Sequence, residues 1–156
     1  MRCRARGLMS RYTLTVTSEL DKLACIADFI KRAVSSLGMD ENSAYAMQLA
    51  VDEACTNVID YAYQRRTGQP VTIECYEDNG RCIVTIRDQG RPFDPTRVPV
   101  PDLHAPLAKR QIGGLGIYLM RRLMDDVRFH FDSIHGNELT LVKAIKPINT
   151  HNSGDT

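Results

Sequence analysis

Polar and apolar residues alternate from residue 11 to residue 17, with an apolar side chain at every second position. A period of two is typical of a strand that buries one face. The spacing then changes to three and four, which predicts a helix that Ser18 caps and Gly38 ends. Its predicted apolar face consists of Leu20, Leu23, Ala24, Ala27, Ile30 and Val34.

The same helical spacing recurs further along and predicts a second helix over residues 42–63. Two strands, 71–77 and 81–87, follow it and are joined at Asn79-Gly80, a pair that favours a two-residue hairpin turn. A last helix is predicted to run from the glycines at 113 through Met124. Strands near 127–132 and 138–145 complete the pattern. The apolar stripe of the second helix is formed by Met47, Val51, Ala54 and Val58.

The segment 89–111 is rich in proline and lacks apolar periodicity. A loop of that length inside a domain is typical of a functional lid. The element order β-α-α-β-β-lid-α-β-β predicts an α+β fold, a two-layer sandwich with a mostly antiparallel sheet and helices on one face. We expect one domain over residues 11–147, with disordered segments at 1–10 and 148–156.

Charge and composition remove several classes of function. Lysine and arginine (20) nearly balance aspartate and glutamate (19), so the net charge is only +1. Such a chain has no bulk attraction to nucleic acid or to an anionic membrane surface. No apolar run approaches the roughly 20 residues that span a bilayer. The sequence therefore predicts neither a nucleic-acid partner nor a membrane location.

The five cysteines form no C-x-x-C pair, and the four histidines have no ligand spacing. No metal site built from protein ligands alone is predicted, and the cysteines are expected to be reduced thiols of a cytoplasmic protein. In the predicted hairpin, Cys75 pairs with Val84 and Cys82 with Glu77, so the two cysteines are not directly opposite each other.

A polar face of the second helix carries candidate chemistry. Glu53, Asn57 and Asp60 fall outside the apolar stripe, within an arc of about 60°. A solvated helix face is the simpler interpretation, but Leu49 and Thr56 flank this one in place of the usual lysines and glutamates. A carboxylate beside an amide suits a site where one group takes a proton and the other offers a neutral oxygen to a cation.

Two glycine-containing segments follow. Asp88 ends a predicted strand and Gly90 permits a tight turn after it, which would let the carboxylate accept a hydrogen bond from a purine amino group. By itself this pattern is mainly a turn signal. Gly113-Gly114-Leu115-Gly116 opens the last helix, where free N–H groups and the helix dipole favour a phosphate. A simple helix cap or hinge is the alternative interpretation of these glycines.

In chain order, these segments resemble the N, G1 and G2 boxes of the Bergerat-fold (GHKL) ATPases, which include gyrase, Hsp90, histidine kinases and MutL. The similarity is closer to the bacterial anti-sigma-factor serine kinases and covers about residues 12–146. It is carried by AVDEACTN at 50–57, GLGIYLM at 114–120, LMDDV at 123–127 and GNELTLVK at 136–143.

The resemblance implies a histidine-kinase-like ATPase fold that binds ATP with Mg²⁺. Asn57 would hold the Mg²⁺, and Asp88 would bind the adenine amino group. Glu53 would be the general base that activates a serine hydroxyl. Histidine kinases have asparagine at that position, so the glutamate favours serine transfer or ATP hydrolysis. The walls of the site would be lined by Gly90, Gly113, Gly114, Leu115 and Gly116.

The chain departs from the family pattern at several positions. Tyr61 stands where the family often has histidine. Lys109 and Arg110 lie further upstream of the glycines than the arginine that some relatives place near the γ-phosphate, so their role in nucleotide binding stays open. Asn137 and Glu138 follow the late glycine, where a threonine is often found.

The resemblance implies a serine protein kinase that phosphorylates a STAS-type anti-sigma-factor antagonist, with sequestration of a sigma factor as a further role and a homodimer as the expected assembly. An ATP-binding switch protein with little catalysis is an alternative, which the presence of Glu53 disfavours. An ATPase module of a larger machine is another, disfavoured because the 156 residues carry no transducer domain.

Overall fold

The fold is known from a computed structural model, which describes residues 10–97 and 114–145. The strands are β1 (Arg11–Thr17), β2 (Pro70–Asp78), β3 (Arg81–Asp88), β4 (Asp126–Asp132) and β5 (Gly136–Ala144). The α-helices are α1 (Leu23–Ser36), α2 (Glu41–Asn57) and α3 (Gly114–Leu123). Apart from Ser10, the segments expected to be disordered lie outside the described residues, and so does most of the predicted lid.

The five strands form one sheet in the order β1-β2-β3-β5-β4, and every neighbouring pair is antiparallel. Alternate residues of β2 and β3 join the buried side chains of the three helices in a single core. The predicted α+β sandwich is therefore confirmed. None of the helices in the described ranges combines the length and apolar character needed to cross a bilayer.

The opposite face of the sheet carries a chain of ion pairs, together with the buried apolar side chains of Ile83 and Val142. Glu74 accepts from Arg11 at 2.7 Å and from Arg87 at 3.1 Å, and Arg87 also donates to Glu138 at 2.7 Å. These four side chains come from β1, β2, β3 and β5. Charged side chains favour water unless they are paired, and these pairs join four of the five strands on this face.

The hairpin between β2 and β3 forms as predicted. Asn79 and Gly80 have φ values of 50° and 74°, as a two-residue hairpin turn requires. Cys75 is opposite Val84 and Cys82 is opposite Glu77, which confirms the predicted register. The two buried thiols nevertheless meet across the diagonal, with their sulfur atoms 3.8 Å apart. Diagonal neighbours on one face of a pair of strands are within reach of each other.

The start of the first helix differs from the prediction. Ser18 does not cap it; the Ser18 hydroxyl donates to the carbonyl of Arg66 at 2.5 Å and accepts from the N–H of Gln69 at 3.1 Å. A 3₁₀ turn at Leu20–Lys22 precedes α1. The hydroxyl is used between distant segments because Ser18 is buried there, which a local capping pattern cannot indicate.

The prediction of the apolar face of α1 was also only partly correct. Its buried residues are Ile26, Ile30, Ala33 and Val34, whereas Ala24 and Ala27 are exposed and Leu20 is 48% exposed. Turning the helix toward its two isoleucines buries more apolar area than the two alanines offer, and buried area determines the stabilisation. Gly38, with φ of 80°, follows the helix end as predicted.

The second helix confirms the predicted stripe and adds an irregularity. Met47, Val51, Ala54 and Val58 are all buried. After Asn57 the helix widens into a π-helical turn, Val58–Ala62. Such turns are rare and often occur at functional sites, because they shift the side chains that follow them around the helix axis.

Candidate functional site

A cleft lies between the end of α2, the helix α3 and the ends of β3 and β5. It has an empty volume of about 490 Å³, including the part open to solvent. Its walls are mainly apolar with a few polar groups, which is typical of a small-molecule site. The lining residues are Ala54, Asn57, Val58, Tyr61, Ala62, Asp88, Phe93, Met120, Phe129, His130, Asn137, Glu138 and Leu139.

Asp88 is the buried acid of this cleft and is only 4% exposed. Its Oδ1 atom accepts hydrogen bonds from the Gly90 N–H and from Asn137 Nδ2, both at 2.8 Å. Oδ2 has no hydrogen-bond partner within the described part of the chain. Burial raises the pKa of Asp88, and the two hydrogen bonds lower it by a smaller amount. The side chain therefore offers one open acceptor to the cleft.

Tyr63 supports the backbone beside Asp88. Its buried hydroxyl donates to the carbonyl of Pro70 at 2.6 Å and accepts from the N–H of Gln89 at 2.7 Å. The hydroxyl thereby joins the end of the π-helical turn to the first residue of β2 and to the residue after β3. Because buried polar groups need partners, this arrangement fixes the position of the Asp88–Gly90 turn.

Gly90 packs directly against the π-helical turn. A Cβ atom on Gly90 would lie 2.5 Å from the carbonyl oxygen of Ala62, and the next residue, Arg91, donates its N–H to that oxygen at 2.8 Å. The contact is with backbone, which cannot rotate away as a side chain can. Position 90 therefore requires glycine, because there is no space for a Cβ atom beside the Ala62 carbonyl oxygen.

Gly90→Ala is expected to lower the free energy of unfolding by about 1–3 kcal/mol, the usual cost of forcing an extra carbon into a packed site. Denaturant unfolding measures this change. Arg91→Ala is the matched control, because the Arg91 side chain is exposed and its backbone N–H is kept. Equal stability of the two variants would contradict the assigned contact with Ala62.

Glu53 and Asn57 both face the first turn of α3. A Cβ atom on Gly116 would lie 2.9 Å from Glu53 Oε2, 3.5 Å from Asn57 Nδ2 and 3.7 Å from Asn57 Oδ1. The missing side chain of Gly116 thus leaves room for both polar groups beside the start of that helix. Burial is the main cause that raises the pKa of Glu53, and the nearby carboxylate of Asp52 adds to it.

Asp60, the third polar residue of the predicted face, does not join the other two. Its carboxylate accepts from Arg65 Nε at 3.0 Å, and it does not line the cleft. Asp60 lies within the π-helical turn that follows Asn57, so the spacing of an ordinary helix no longer applies there.

Comparison with known proteins identifies the fold and the family. The sequence profile described as the histidine kinase-like ATPase domain matches residues 16–143. The chain belongs to this family. This histidine kinase-like ATPase is 31% identical over 138 residues to the serine-protein kinase RsbW of Halalkalibacterium halodurans, covering 85% of this chain and 82% of the relative. It is 27% identical over 154 residues to the serine-protein kinase RsbW of Bacillus cereus strain ATCC 10987, covering 90% and 94%.

The fold has a counterpart in a crystal structure of the RsbU and RsbW domains of a Mycobacterium tuberculosis protein. The TM-score is 0.63 at 13% identity, and the match covers 88% of this chain and 33% of that one. This likeness supports the fold. The family match and the relatives named serine-protein kinase RsbW confirm the predicted membership of the anti-sigma-factor serine kinases within the histidine kinase-like ATPases.

The glycine segment of this histidine kinase-like ATPase is only partly described. Gly114 begins α3, Leu115 is partly buried and Gly116 is buried. Gly113, Lys109 and Arg110 lie outside the described residues, together with the lid from residue 98 onward. Their proposed contacts with a nucleotide stay predictions from the sequence.

Asn137 and Tyr61 are among the cleft residues that were not predicted as site residues. Asn137, noted only as a departure from the family pattern, contacts Asp88 because β5 lies beside β3 and places the two residues opposite each other. Tyr61 lines the cleft, and its buried hydroxyl has no partner among the residues described. The helical spacing from Asn57 to Tyr61 was the available signal, but the π-helical turn made its direction unpredictable.

Proposed function

We propose that this chain is an ATP-dependent serine protein kinase and anti-sigma factor, which phosphorylates a STAS-type antagonist and sequesters a sigma factor. The observation that carries the proposal is the approach of Glu53 and Asn57 to Gly116 at the start of α3. It puts a carboxylate and an amide where a helix N-terminus can hold phosphate. The relatives named serine-protein kinases support the same activity.

Two observations support the binding of an adenine nucleotide with its Mg²⁺ in the cleft. Asp88 is buried, and its Oδ2 atom has no hydrogen-bond partner among the described residues, which suits the adenine amino group. The space at Gly116 is bounded by the Asn57 amide, whose oxygen is the type of ligand that Mg²⁺ takes together with phosphate oxygens. Asn57 would therefore hold the metal ion, and the first N–H groups of α3 would hold the phosphates.

Glu53 would act on the protein substrate. When bound, ATP supplies the phosphoryl group, whose charge Mg²⁺ offsets. Glu53 would accept the proton of the serine hydroxyl as the oxygen attacks phosphorus. Burial raises the pKa of Glu53, which makes it a stronger base than an ordinary glutamate.

The surface next to Glu53 suits a protein substrate. Tyr45 and Leu49 precede Glu53 at steps of four residues, so the three side chains follow one side of α2. Tyr45 is 63% exposed and Leu49 is 39% exposed. We propose that the serine-bearing antagonist contacts these two side chains. A homodimer, a cytoplasmic location and the sigma factor as a second partner belong to the same proposal, which includes no direct contact with nucleic acid.

Asn57→Ala tests the nucleotide site. Calorimetry with ADP in the presence and absence of Mg²⁺ should show tighter binding by the wild-type protein when Mg²⁺ is present. The variant should lose most of this dependence, because an oxygen ligand of the cation is gone.

Asp60→Ala is the matched control for Asn57→Ala, since Asp60 lies one turn further on and is held by Arg65 outside the cleft. It should keep the Mg²⁺ dependence of the wild type. A full Mg²⁺ effect in Asn57→Ala would remove Asn57 from the metal site.

A further inference from the structure

Asn137 faces the buried carboxylate of the cleft from β5. Its Nδ2 atom lies 2.8 Å from Asp88 Oδ1, 2.9 Å from the Arg91 carbonyl oxygen and 3.4 Å from the Gly90 carbonyl oxygen. An amide nitrogen has two hydrogens, so the two short contacts use both of them. The Asn137 side chain is therefore held to the carboxylate and to the turn that follows it.

The backbone of β5 is fixed at the same place. Gly136 has φ of 82°, and a Cβ atom on it would lie 2.4 Å from the carbonyl oxygen of Asp88. Asn137 is also the pairing partner of Asp88 between β5 and β3. Side-chain and backbone contacts thus agree in holding Asn137 against Asp88.

We infer that Asn137 is a positioning residue that sets base specificity, because it leaves Asp88 with a single open acceptor. The inference rests on the proposed function, in which Asp88 receives a purine. Each carboxylate oxygen has about two lone-pair sites. On Oδ1 both are used, one by the Gly90 N–H and one by Asn137 Nδ2, so Oδ2 alone is left for a ligand.

A single acceptor discriminates between purines. Adenine presents one amino group, which is a donor, beside a ring nitrogen that carries no hydrogen. One carboxylate oxygen is enough to accept a hydrogen bond from that amino group. Guanine presents its N1–H and its 2-amino group side by side, and these need both oxygens of a carboxylate. With Oδ1 occupied, a guanine donor stays unpaired inside the cleft, which costs binding free energy. Asn137 therefore favours adenine over guanine.

The test is the ratio of ADP to GDP affinity, measured by calorimetry with Mg²⁺ present. The wild-type protein should prefer ADP strongly. Asn137→Ala and Asn137→Val both remove the donor and free one site on Oδ1, so the ratio should fall by about 10–100-fold, the usual value of one hydrogen bond to a charged group. A merely structural change would weaken both nucleotides equally and leave the ratio unchanged.

Two further variants complete the test. Asn137→Gln keeps the amide and should keep most of the preference for ADP. Thr140→Val changes β5 on its outer face, away from the cleft, and should keep the wild-type ratio. Unfolding curves show which of the Asn137 variants are folded, and only those variants are compared with the wild type.

If a folded Asn137→Ala or Asn137→Val variant keeps the wild-type ratio of ADP to GDP affinity, the inference is overturned and nucleotide binding is left in place. Equal affinity of the wild type for ADP and GDP also overturns it. Binding of neither nucleotide by the wild type overturns the proposed function and the inference together.

Discussion

Glu53→Gln is expected to lower the rate of serine phosphorylation by about 10²–10⁴-fold, because the variant removes the group that takes the hydroxyl proton. Glutamine keeps the size of the side chain that faces Gly116, so ADP affinity should stay within a few-fold of wild type. Transfer of labelled phosphate from ATP to a purified STAS-type antagonist measures the rate, and calorimetry measures the affinity.

Asp52→Asn is the matched control for Glu53→Gln. Asp52 is the preceding residue and is exposed, and its side chain, unlike that of Glu53, is not among the atoms nearest to Gly116. This variant should phosphorylate at nearly the normal rate at neutral pH. A normal rate in Glu53→Gln would show that Glu53 is not the base. ATP-dependent binding of the antagonist without any phosphorylation by the wild type would favour the switch-protein alternative.

The pH dependence of the same reaction follows from the raised pKa of Glu53. A general base must be ionised, so the rate should fall as the pH is lowered through that pKa. Because burial and Asp52 raise this pKa above 4.5, the fall should begin at a higher pH than for an exposed glutamate. Asp52→Asn removes one of the two causes and should move the fall to lower pH. An unchanged profile in Asp52→Asn would contradict this cause.

Asp88→Asn is expected to weaken ADP binding by about 10–100-fold, the value of a hydrogen bond to a charged group. The oxygen of the new amide would keep the contacts with Gly90 and Asn137. Its nitrogen would then replace Oδ2 and direct a donor toward the adenine amino group, which is also a donor. Inosine diphosphate carries an acceptor at that position, so its affinity relative to ADP should rise.

The same variant should not be less stable than the wild type. Burial raises the pKa of Asp88 above 3.8, so the ionised carboxylate makes the folded state less stable at pH 7. An amide carries no such cost. Calorimetry measures the two affinities and thermal unfolding measures the stability, with Asp78→Asn at the far end of the hairpin as the control. Unchanged ADP affinity in Asp88→Asn would reject the assignment of the adenine pocket.

The parts of the fold that depend on neighbouring residues could be predicted from the sequence. The alternation in β1 and the Asn79-Gly80 turn are local signals, and both were confirmed. The start of α1 could not be predicted, because Ser18 bonds to Arg66 and Gln69, about 50 residues further along. A capping pattern describes only the residues beside it.

The candidate site, like the fold, could be predicted from the sequence only in part. Glu53 and Asn57 were selected from helical spacing, residue type and the family resemblance, and the structure places both near Gly116. The role of Asn137 could not be predicted, because it depends on β5 lying between β3 and β4 in the sheet. The sequence order of the strands does not give that arrangement.

The place of β5 in the sheet also has a consequence for the order in which the protein becomes active during synthesis. Asp88 lies in β3, and its partner Asn137 follows 49 residues later. Synthesis proceeds from the N-terminal end, so the hairpin of β2 and β3 leaves the ribosome well before β5 does. Until β5 is available, Asp88 lacks the amide donor of Asn137. The helix α3, which begins at Gly114, has then left the ribosome only shortly before. Selective ADP binding should therefore arise late in synthesis, which makes it a sensitive indicator of complete folding.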